Sequence, residues 1–261
     1  MMPTDNFIQA LSPLLSSFLS SMWPFFIFIV VLWLFRLPVV KGIRGEMWVN
    51  FVLRHQLSKE EYLLFKNVTL EMDDDSASDK AEKDKSGKDT VRTKAEASPS
   101  APKKKGTTQI DHVLLSRYGI FVIETKNMKG WIFGSEKQRT WTQKIYRHSS
   151  QFMNPLRQNY KHVLALAQCL NLPKDALFSV VTFVGDATIK TKVPENVGYT
   201  QDMLRFIRSK KDILFTETEL SHFKSLLNSG RLKPGLKTHR RHVNHVKRII
   251  NAQQKQGTKE P

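Results

Sequence analysis

The chain alternates between apolar and polar stretches, and each apolar stretch predicts one element of structure. Residues 14–35 run without a charged side chain over a length that suits a helix crossing a hydrocarbon core. Residues 42–57 carry apolar side chains at helical spacing, and residues 62–70 form a first apolar strand. Residues 73–106 contain almost no large apolar side chain, so we expect a disordered, charged loop that interrupts the domain.

Beyond this loop the pattern predicts the body of an α/β domain. Two apolar strands, at 108–115 and 120–125, are joined by a tight turn at 116–119. The later elements follow from the same periodicities; they are a strand at 131–134, a helix from Asn154-Pro155 to Leu170, a strand at 178–184, and helices near 200–209, 217–227 and 238–252. A hairpin followed by a helix and another strand indicates a mixed sheet flanked by helices, and strands that are apolar on both faces indicate cover on both sides.

The apolar run at 14–35 determines the expected organisation of the chain. A cleavable signal peptide and a buried soluble helix are the alternatives, but the run lacks a basic start and a cleavage site and is apolar on all sides. Basic residues follow it directly, which predicts a single-pass protein of the cell (inner) membrane with its N-terminus outside and its main domain in the cytoplasm. The predicted segments are an extracytoplasmic N-terminus at 1–13, a transmembrane helix at 14–35, a main domain at 41–190, a helical extension at 191–252 and a disordered tail at 253–261.

The charge of the chain indicates a polyanionic partner. Lys and Arg total 41 against 24 Asp and Glu, a formal net charge of +17. Nucleic acid and anionic lipid headgroups both suit such a surface, and a merely solvated cationic surface is the alternative. A single cysteine, Cys169, excludes an intramolecular disulfide and a zinc site built from several cysteines. Three aromatic residues, Trp131, Phe133 and Trp141, are expected to pack in the core, with stacking on bases as the alternative.

The hairpin at 108–125 carries the candidate chemistry. If Leu115 faces Ile120 across the turn, then Asp111 lies opposite Glu124, with Cβ atoms about 5 Å apart. Alternation along the strand places Lys126 on the same face as Glu124. Two facing carboxylates repel each other, and a divalent cation would remove that repulsion. A structural ion pair between Lys126 and Glu124 is the alternative.

These residues also carry a family resemblance. Asp111 followed by Glu124-Thr125-Lys126 resembles the Asp…Glu-x-Lys core of the PD-(D/E)XK nuclease superfamily, and more narrowly the NERD (nuclease-related) domain. The segments that match are residues 45–46, 109–112, 119–127, 130–134, 141 and 154–158. The resemblance covers about 41–170, apart from the charged insert. It implies a restriction-endonuclease-like fold and metal-dependent hydrolysis of phosphodiester bonds.

The resemblance also implies roles for individual residues. Asp111 and Glu124 would bind Mg²⁺ or Mn²⁺, with the main-chain carbonyl of Thr125 as a third ligand. Lys126 would position or activate the attacking water.

Two further residues match supporting positions of the superfamily. Glu46 matches an acidic residue of the first helix that assists metal binding, and Gln158 matches a helix glutamine near the site. An exposed helix carboxylate and a surface amide are the alternatives. The chain departs from the superfamily pattern at Ile110, which replaces a proline, and in its long charged insert.

The leading hypothesis is a membrane-anchored, magnesium-dependent nuclease that acts on nucleic acid, with DNA favoured over RNA. A catalytically inactive, membrane-tethered nucleic-acid-binding or scaffold module on the same fold is the second hypothesis. An adaptor that contacts anionic lipid through its basic residues is the third.

Overall fold

A computed structural model describes residues 4–35, 37–73, 105–233 and 235. The α-helices span Thr4–Phe35 (α1), Pro38–Gln56 (α2), Pro155–Leu170 (α3), Thr200–Ser209 (α4) and Glu217–Gly230 (α5), with a 3₁₀ turn at Lys174–Ala176. The strands span Tyr62–Asp73 (β1), Lys105–Ser116 (β2), Gly119–Asn127 (β3), Gly130–Phe133 (β4), Thr140–Ile145 (β5), His148–Met153 (β6), Leu177–Val184 (β7), Ala187–Ile189 (β8) and Val197–Tyr199 (β9).

The main sheet has five strands in the order β1-β2-β3-β7-β9. The pairs β1–β2 and β2–β3 are antiparallel, whereas β3–β7 and β7–β9 are parallel. Helices α3 and α5 pack on one face of this sheet, and α2 and α4 pack on the other. The predicted mixed sheet flanked by helices is therefore confirmed, and cover on both faces explains why the central strands are apolar throughout.

A second sheet, in the order β6-β5-β4-β8, was not predicted. Only its β4 strand was expected from the sequence. The β6 strand is polar and almost wholly exposed, so it shows no alternation that would mark it as a strand. This sheet extends directly from the main one, because two-residue links at 128–129 and 185–186 join β3 to β4 and β7 to β8.

The predicted charged loop is shorter than expected at both ends. Asp73 pairs with Lys105 and Met72 pairs with Gly106, so these residues belong to the β1–β2 ladder. Backbone pairing extends the strands here although the side chains are not part of an apolar pattern. The rest of that loop, the helix expected at 238–252 and the tail at 253–261 lie outside the described residues.

The transmembrane helix predicted at 14–35 is not supported. Among the parts of the chain that the structure describes, no helix combines the length and apolarity needed to cross a membrane. The expected cellular location has not been tested and stays a prediction.

Helix α3 begins at a well-defined cap. The Asn154 side chain accepts a hydrogen bond from Leu156 N at 2.9 Å, and Pro155 occupies the first helical position. The Asn154 amide also donates to three carbonyls of the 135–138 loop. This cap sets the position of the first turn of α3, which carries Gln158.

Candidate active site

The β2–β3 hairpin has the register that the sequence predicts. Leu115 pairs with Ile120, and the ladder continues to His112 and Ile123. The next opposed residues are Asp111 and Glu124, where the two strands part. There the Asp111 Oδ2 atom accepts a hydrogen bond of 2.8 Å from the backbone N–H of Thr125. The Thr125 N–H thus bonds to a side-chain carboxylate, where a regular ladder would offer a backbone carbonyl.

The strands part where the regular alternation of β1 and β2 also breaks. Asn67 of β1 has a left-handed φ of 51° and lies opposite Asp111, a conformation that asparagine tolerates better than most residues. In β2, Val113 and Ile110 both pack in the core beneath α3, although residues three apart in a regular strand face opposite ways. This irregularity directs the Asp111 carboxylate toward β3.

Glu124 is the centre of a network of side chains on the α3 face of the sheet. It is 3% exposed. Its Oε1 atom accepts from Lys126 Nζ at 2.7 Å and from Gln158 Nε2 at 2.7 Å. Lys126 Nζ also donates to Gln158 Oε1 at 2.8 Å, and His162 Nε2 lies 3.1 Å from Glu124 Oε2. These contacts satisfy both carboxylate oxygens.

The two carboxyl groups differ in their electrostatics. Burial acts to raise the pKa of Glu124, but the Lys126 ammonium and the hydrogen bond from His162 outweigh it and hold that pKa below its usual value. Burial raises the pKa of Asp111 well above its usual value, and repulsion from Glu124 and Glu46 adds to the effect. Asp111 is thus the carboxyl group for which an added cation would bring the larger gain.

Glu46 reaches this site because α2 packs closely against the ends of β3 and β7. A Cβ atom at Gly45 would lie 2.6 Å from Asn127 Cβ and 3.0 Å from Val184 Cγ2, so only glycine allows this approach. The Asn127 amide also donates to the Lys41 carbonyl at 2.6 Å. Burial and then repulsion from Glu124 raise the pKa of Glu46, so the Glu46 carboxylate lies within electrostatic reach of Glu124.

Sequence reasoning missed two residues of α3 that support the site. His162 is buried and joins Glu124 to the Thr108 hydroxyl, with 2.7 Å between His162 Nδ1 and Thr108 Oγ1. The sequence did contain a sign of this role, because His162 follows Gln158 by four residues and so lies on the same face of the helix. Asn159 is fully buried and donates to the Val122 carbonyl at 2.8 Å, which fixes α3 over β3.

The predicted site residues come together, although their roles stay predictions. Hydrogen bonds connect Glu124, Lys126 and Gln158, another joins Asp111 to the Thr125 backbone, and Glu46 acts through its charge.

The donor set fits a divalent cation such as Mg²⁺, which accepts one or two carboxylates completed by water. The N–H and C=O of a strand residue point to the same side, so the Thr125 carbonyl faces the gap between β2 and β3, as its N–H does. Together with the carboxylates of Asp111 and Glu124 it provides three hard oxygen donors. Within the described ranges, no three His, Cys, Asp or Glu side chains are grouped so as to hold a metal by themselves.

Two comparisons with known proteins give matches to this chain. The family model described as the nuclease-related domain (NERD) matches residues 41–184, more than half of the chain. A Bacillus anthracis protein described as uncharacterized is 39% identical over 120 residues, which are 44% of this chain and 56% of that protein. The chain thus spans little more than half the length of this relative. No solved structure matches the chain significantly. The chain belongs to the nuclease-related domain family.

Proposed function

We propose that the chain is a metal-dependent nuclease that hydrolyses the phosphodiester bonds of nucleic acid, with DNA as the favoured substrate. The observation that carries this proposal is the convergence of Asp111, Glu124 and Lys126 where β2 and β3 part. Family membership supports a nuclease-related function in general, and the side chains at this point supply the donors that such chemistry requires.

Asp111, Glu124 and the Thr125 carbonyl would hold Mg²⁺ or Mn²⁺. The ion, when bound, supplies Lewis acidity toward a phosphate oxygen and offsets the charge that develops in the displacement. Asp111 keeps its carboxylate in place through the Thr125 N–H. Glu46 adds negative charge from α2 and so favours a cation at the same point.

Lys126 is placed to act on the attacking water or on the phosphate. Its ammonium has three N–H donors. Glu124 Oε1 and Gln158 Oε1 accept from it, and the 20% exposure of its side chain leaves it open to solvent. A third N–H can therefore orient a water molecule or donate to a phosphate oxygen. Gln158 contacts both Lys126 and Glu124, so we assign it a positioning role.

The same network favours one alternative, a catalytically inactive nucleic-acid-binding module. Both oxygens of Glu124 already have partners in Lys126, Gln158 and His162, so the carboxylate is stable without a metal. A site that has lost its chemistry could keep this ion pair for structural reasons.

Cleavage assays separate the two functions. The full chain is mixed with labelled single-stranded DNA, duplex DNA or RNA, in Mg²⁺, in Mn²⁺ or in chelator. The nuclease predicts cleavage that disappears in chelator and in the Asp111→Asn and Lys126→Ala variants. Asp175→Asn, an exposed carboxylate on the 3₁₀ turn, is the matched control and should cleave normally. Salt-sensitive binding with no cleavage under any condition would instead support the inactive module.

A further inference from the structure

The outer face of the second sheet carries aromatic and basic side chains side by side. Trp131 of β4 pairs with Lys144 of β5, and Phe133 pairs with Thr142. Alternation places these four residues on one face, because Ile132, between the two aromatic residues, is fully buried beneath the sheet. Trp131 is 49% exposed, so the prediction that it packs in the core is wrong, whereas Trp141 is buried as predicted.

This face is positively charged. None of the four strands of the second sheet, all within the described residues, contains Asp or Glu. Lys190 holds its ammonium 4.9 Å from the centre of the Trp131 ring. The exposed basic residues along the face and its borders are Lys129, Arg139, Lys144, Lys190 and Lys192.

Two clefts lie along the face, one beside each aromatic residue. Trp131 borders a cleft of about 460 Å³, which Lys129 and Lys144 also line, with Asp186 as its acidic residue. Phe133 borders a cleft of about 540 Å³ whose other lining side chains, apart from Gly134, are polar or basic. Each cleft therefore combines an aromatic ring with cationic side chains.

Tyr146 extends this surface at the tip of the β5–β6 hairpin. Its side chain is 92% exposed and lines the same cleft as Trp131. Its backbone has a φ of 51°, a left-handed conformation in which tyrosine is disfavoured and Asn or Gly is preferred. Tyr146 makes the turn less stable than Asn or Gly would, and its exposed ring packs on nothing that would offset this cost. Binding of a ligand by the ring explains the presence of tyrosine at this position.

We infer that this outer face binds single-stranded nucleic acid, an inference that rests on the proposed function and specifies the form of its substrate. The Trp131 and Tyr146 rings stack on unpaired bases, while Lys144, Lys190 and their basic neighbours contact the phosphates. Stacking platforms that alternate with positive charge are the usual means of binding single strands. A duplex hides the faces of its bases, so it gains only the phosphate contacts.

The chain connects this face to the candidate active site over a short distance. Lys126 stands at the end of β3, and Trp131 follows it by five residues. A chain of that length spans at most about 17 Å. The outer face and the candidate active site therefore lie within the length of a short oligonucleotide of each other.

Fluorescence anisotropy of the full chain with labelled oligothymidylate, in chelator to prevent cleavage, tests the inference. We expect the single strand to bind more tightly than its duplex with oligoadenylate. Trp131→Ala and Tyr146→Asn should each weaken single-strand binding about tenfold, and Tyr146→Asn should do so in a protein at least as stable as the wild type. Lys190→Gln should lower the salt dependence by about one ion.

Tyr160→Ala is the matched control. Tyr160 is a 46% exposed tyrosine of α3 with the Lys174 ammonium 5.7 Å from its ring centre, so it has the same chemistry at another place. Its removal should leave binding unchanged. Wild-type affinity in both Trp131→Ala and Tyr146→Asn would overturn the inference, and so would an equal loss in Tyr160→Ala.

The outcomes also separate this inference from the proposed function. Binding that depends on Trp131 and Tyr146, in a protein that cleaves nothing with Mg²⁺, supports the binding face and contradicts the nuclease. Metal-dependent cleavage, together with a single-strand affinity that neither substitution changes, supports the nuclease and contradicts the binding face. Absence of any binding to oligonucleotides contradicts the face directly.

Discussion

Asp111→Asn should stabilise the folded protein while it removes the proposed activity. The pKa of Asp111 is raised by burial and by repulsion from Glu124 and Glu46, so its ionised form is unfavourable in the metal-free fold. Asparagine has nearly the same shape, and its amide oxygen can still accept the hydrogen bond from Thr125 N. The substitution thus removes the charge and keeps the contact.

The size of the gain follows from the charges around Asp111. Two full charges about 5–6 Å apart repel by about 3 kcal/mol at an effective dielectric constant of about 20. Glu46 adds repulsion while Lys126 adds attraction, and these two contributions oppose each other. At pH 7 the Asp111 charge cannot cost more than about 4 kcal/mol, because at a higher cost the carboxylate would take up a proton instead. Each pH unit above the ordinary pKa of 3.8 corresponds to about 1.36 kcal/mol. We therefore expect Asp111→Asn to raise the free energy of unfolding by about 3 kcal/mol.

Urea titrations followed by tryptophan fluorescence measure this gain. Because the folded-state pKa of Asp111 is raised, its contribution to stability is complete below pH 3.8 and is lost as the pH rises. The advantage of the variant should accordingly be large at pH 7 and vanish near pH 4. Asp175→Asn should change stability by less than about 0.5 kcal/mol at either pH.

Divalent ions should act in the opposite direction, by stabilising the wild type relative to Asp111→Asn. Saturating Mg²⁺ in chelator-free buffer should stabilise the wild type but not Asp111→Asn, since ligands that bind only the folded state shift unfolding by mass action. A variant that is less stable than the wild type at pH 7, or equally stabilised by Mg²⁺, would refute the reasoning about charge at this point.

Further predictions concern the residues around the site. Gly45→Ala should destabilise the fold by about 1–3 kcal/mol and lower activity, because the added Cβ atom would lie 2.6 Å from Asn127 Cβ. In the same helix, the Cβ atom of Gly42→Ala would have no neighbour within 4 Å, so this variant should be neutral or stabilising in thermal melts. His162→Ala should cost about 1–3 kcal/mol through the unpaired Glu124 oxygen, with activity about tenfold lower, and His162→Gln should recover part of both. Burial lowers the pKa of His112 from 6.5 to about 4. The contribution of neutral His112 to stability is therefore lost as the pH falls from 6.5 to 4. Between pH 7 and pH 4 the free energy of unfolding of the wild type should fall by about 3 kcal/mol more than that of His112→Asn. Equal losses in both proteins would contradict the last of these.

The candidate site was predictable to the extent that it depends on one hairpin. The tight turn and the period of two determined which residues face each other, so the meeting of Asp111 and Glu124 followed from counting. His162 was not predictable in the same way, because its role depends on which face of α3 meets β3. The irregularity at Asn67 depends on pairing between β1 and β2, which no local pattern reveals.

The second sheet shows a different limit. Its β5 and β6 strands lie at the surface, and β6 is exposed along almost its whole length, so no alternation of apolar and polar residues marked these two strands. Tertiary pairing of β5 with β4 and β6 holds them in extended form instead. Trp131 and Trp141 were both visible in the sequence, but which of the two is buried depends on the pairing of β4 with β5, which the local pattern did not predict.

The outer end of the β1–β2 ladder has a consequence for how this protein can vary. Asp73 and Lys105 are paired there, and paired residues lie about 5 Å apart, so the chain leaves and re-enters the sheet at almost one point. Each doubling of the intervening segment then adds only about 0.6 kcal/mol of closure entropy. Relatives can differ widely in this segment, and an epitope or fluorescent reporter can be grafted there, without changing how β2 and β3 diverge at Asp111.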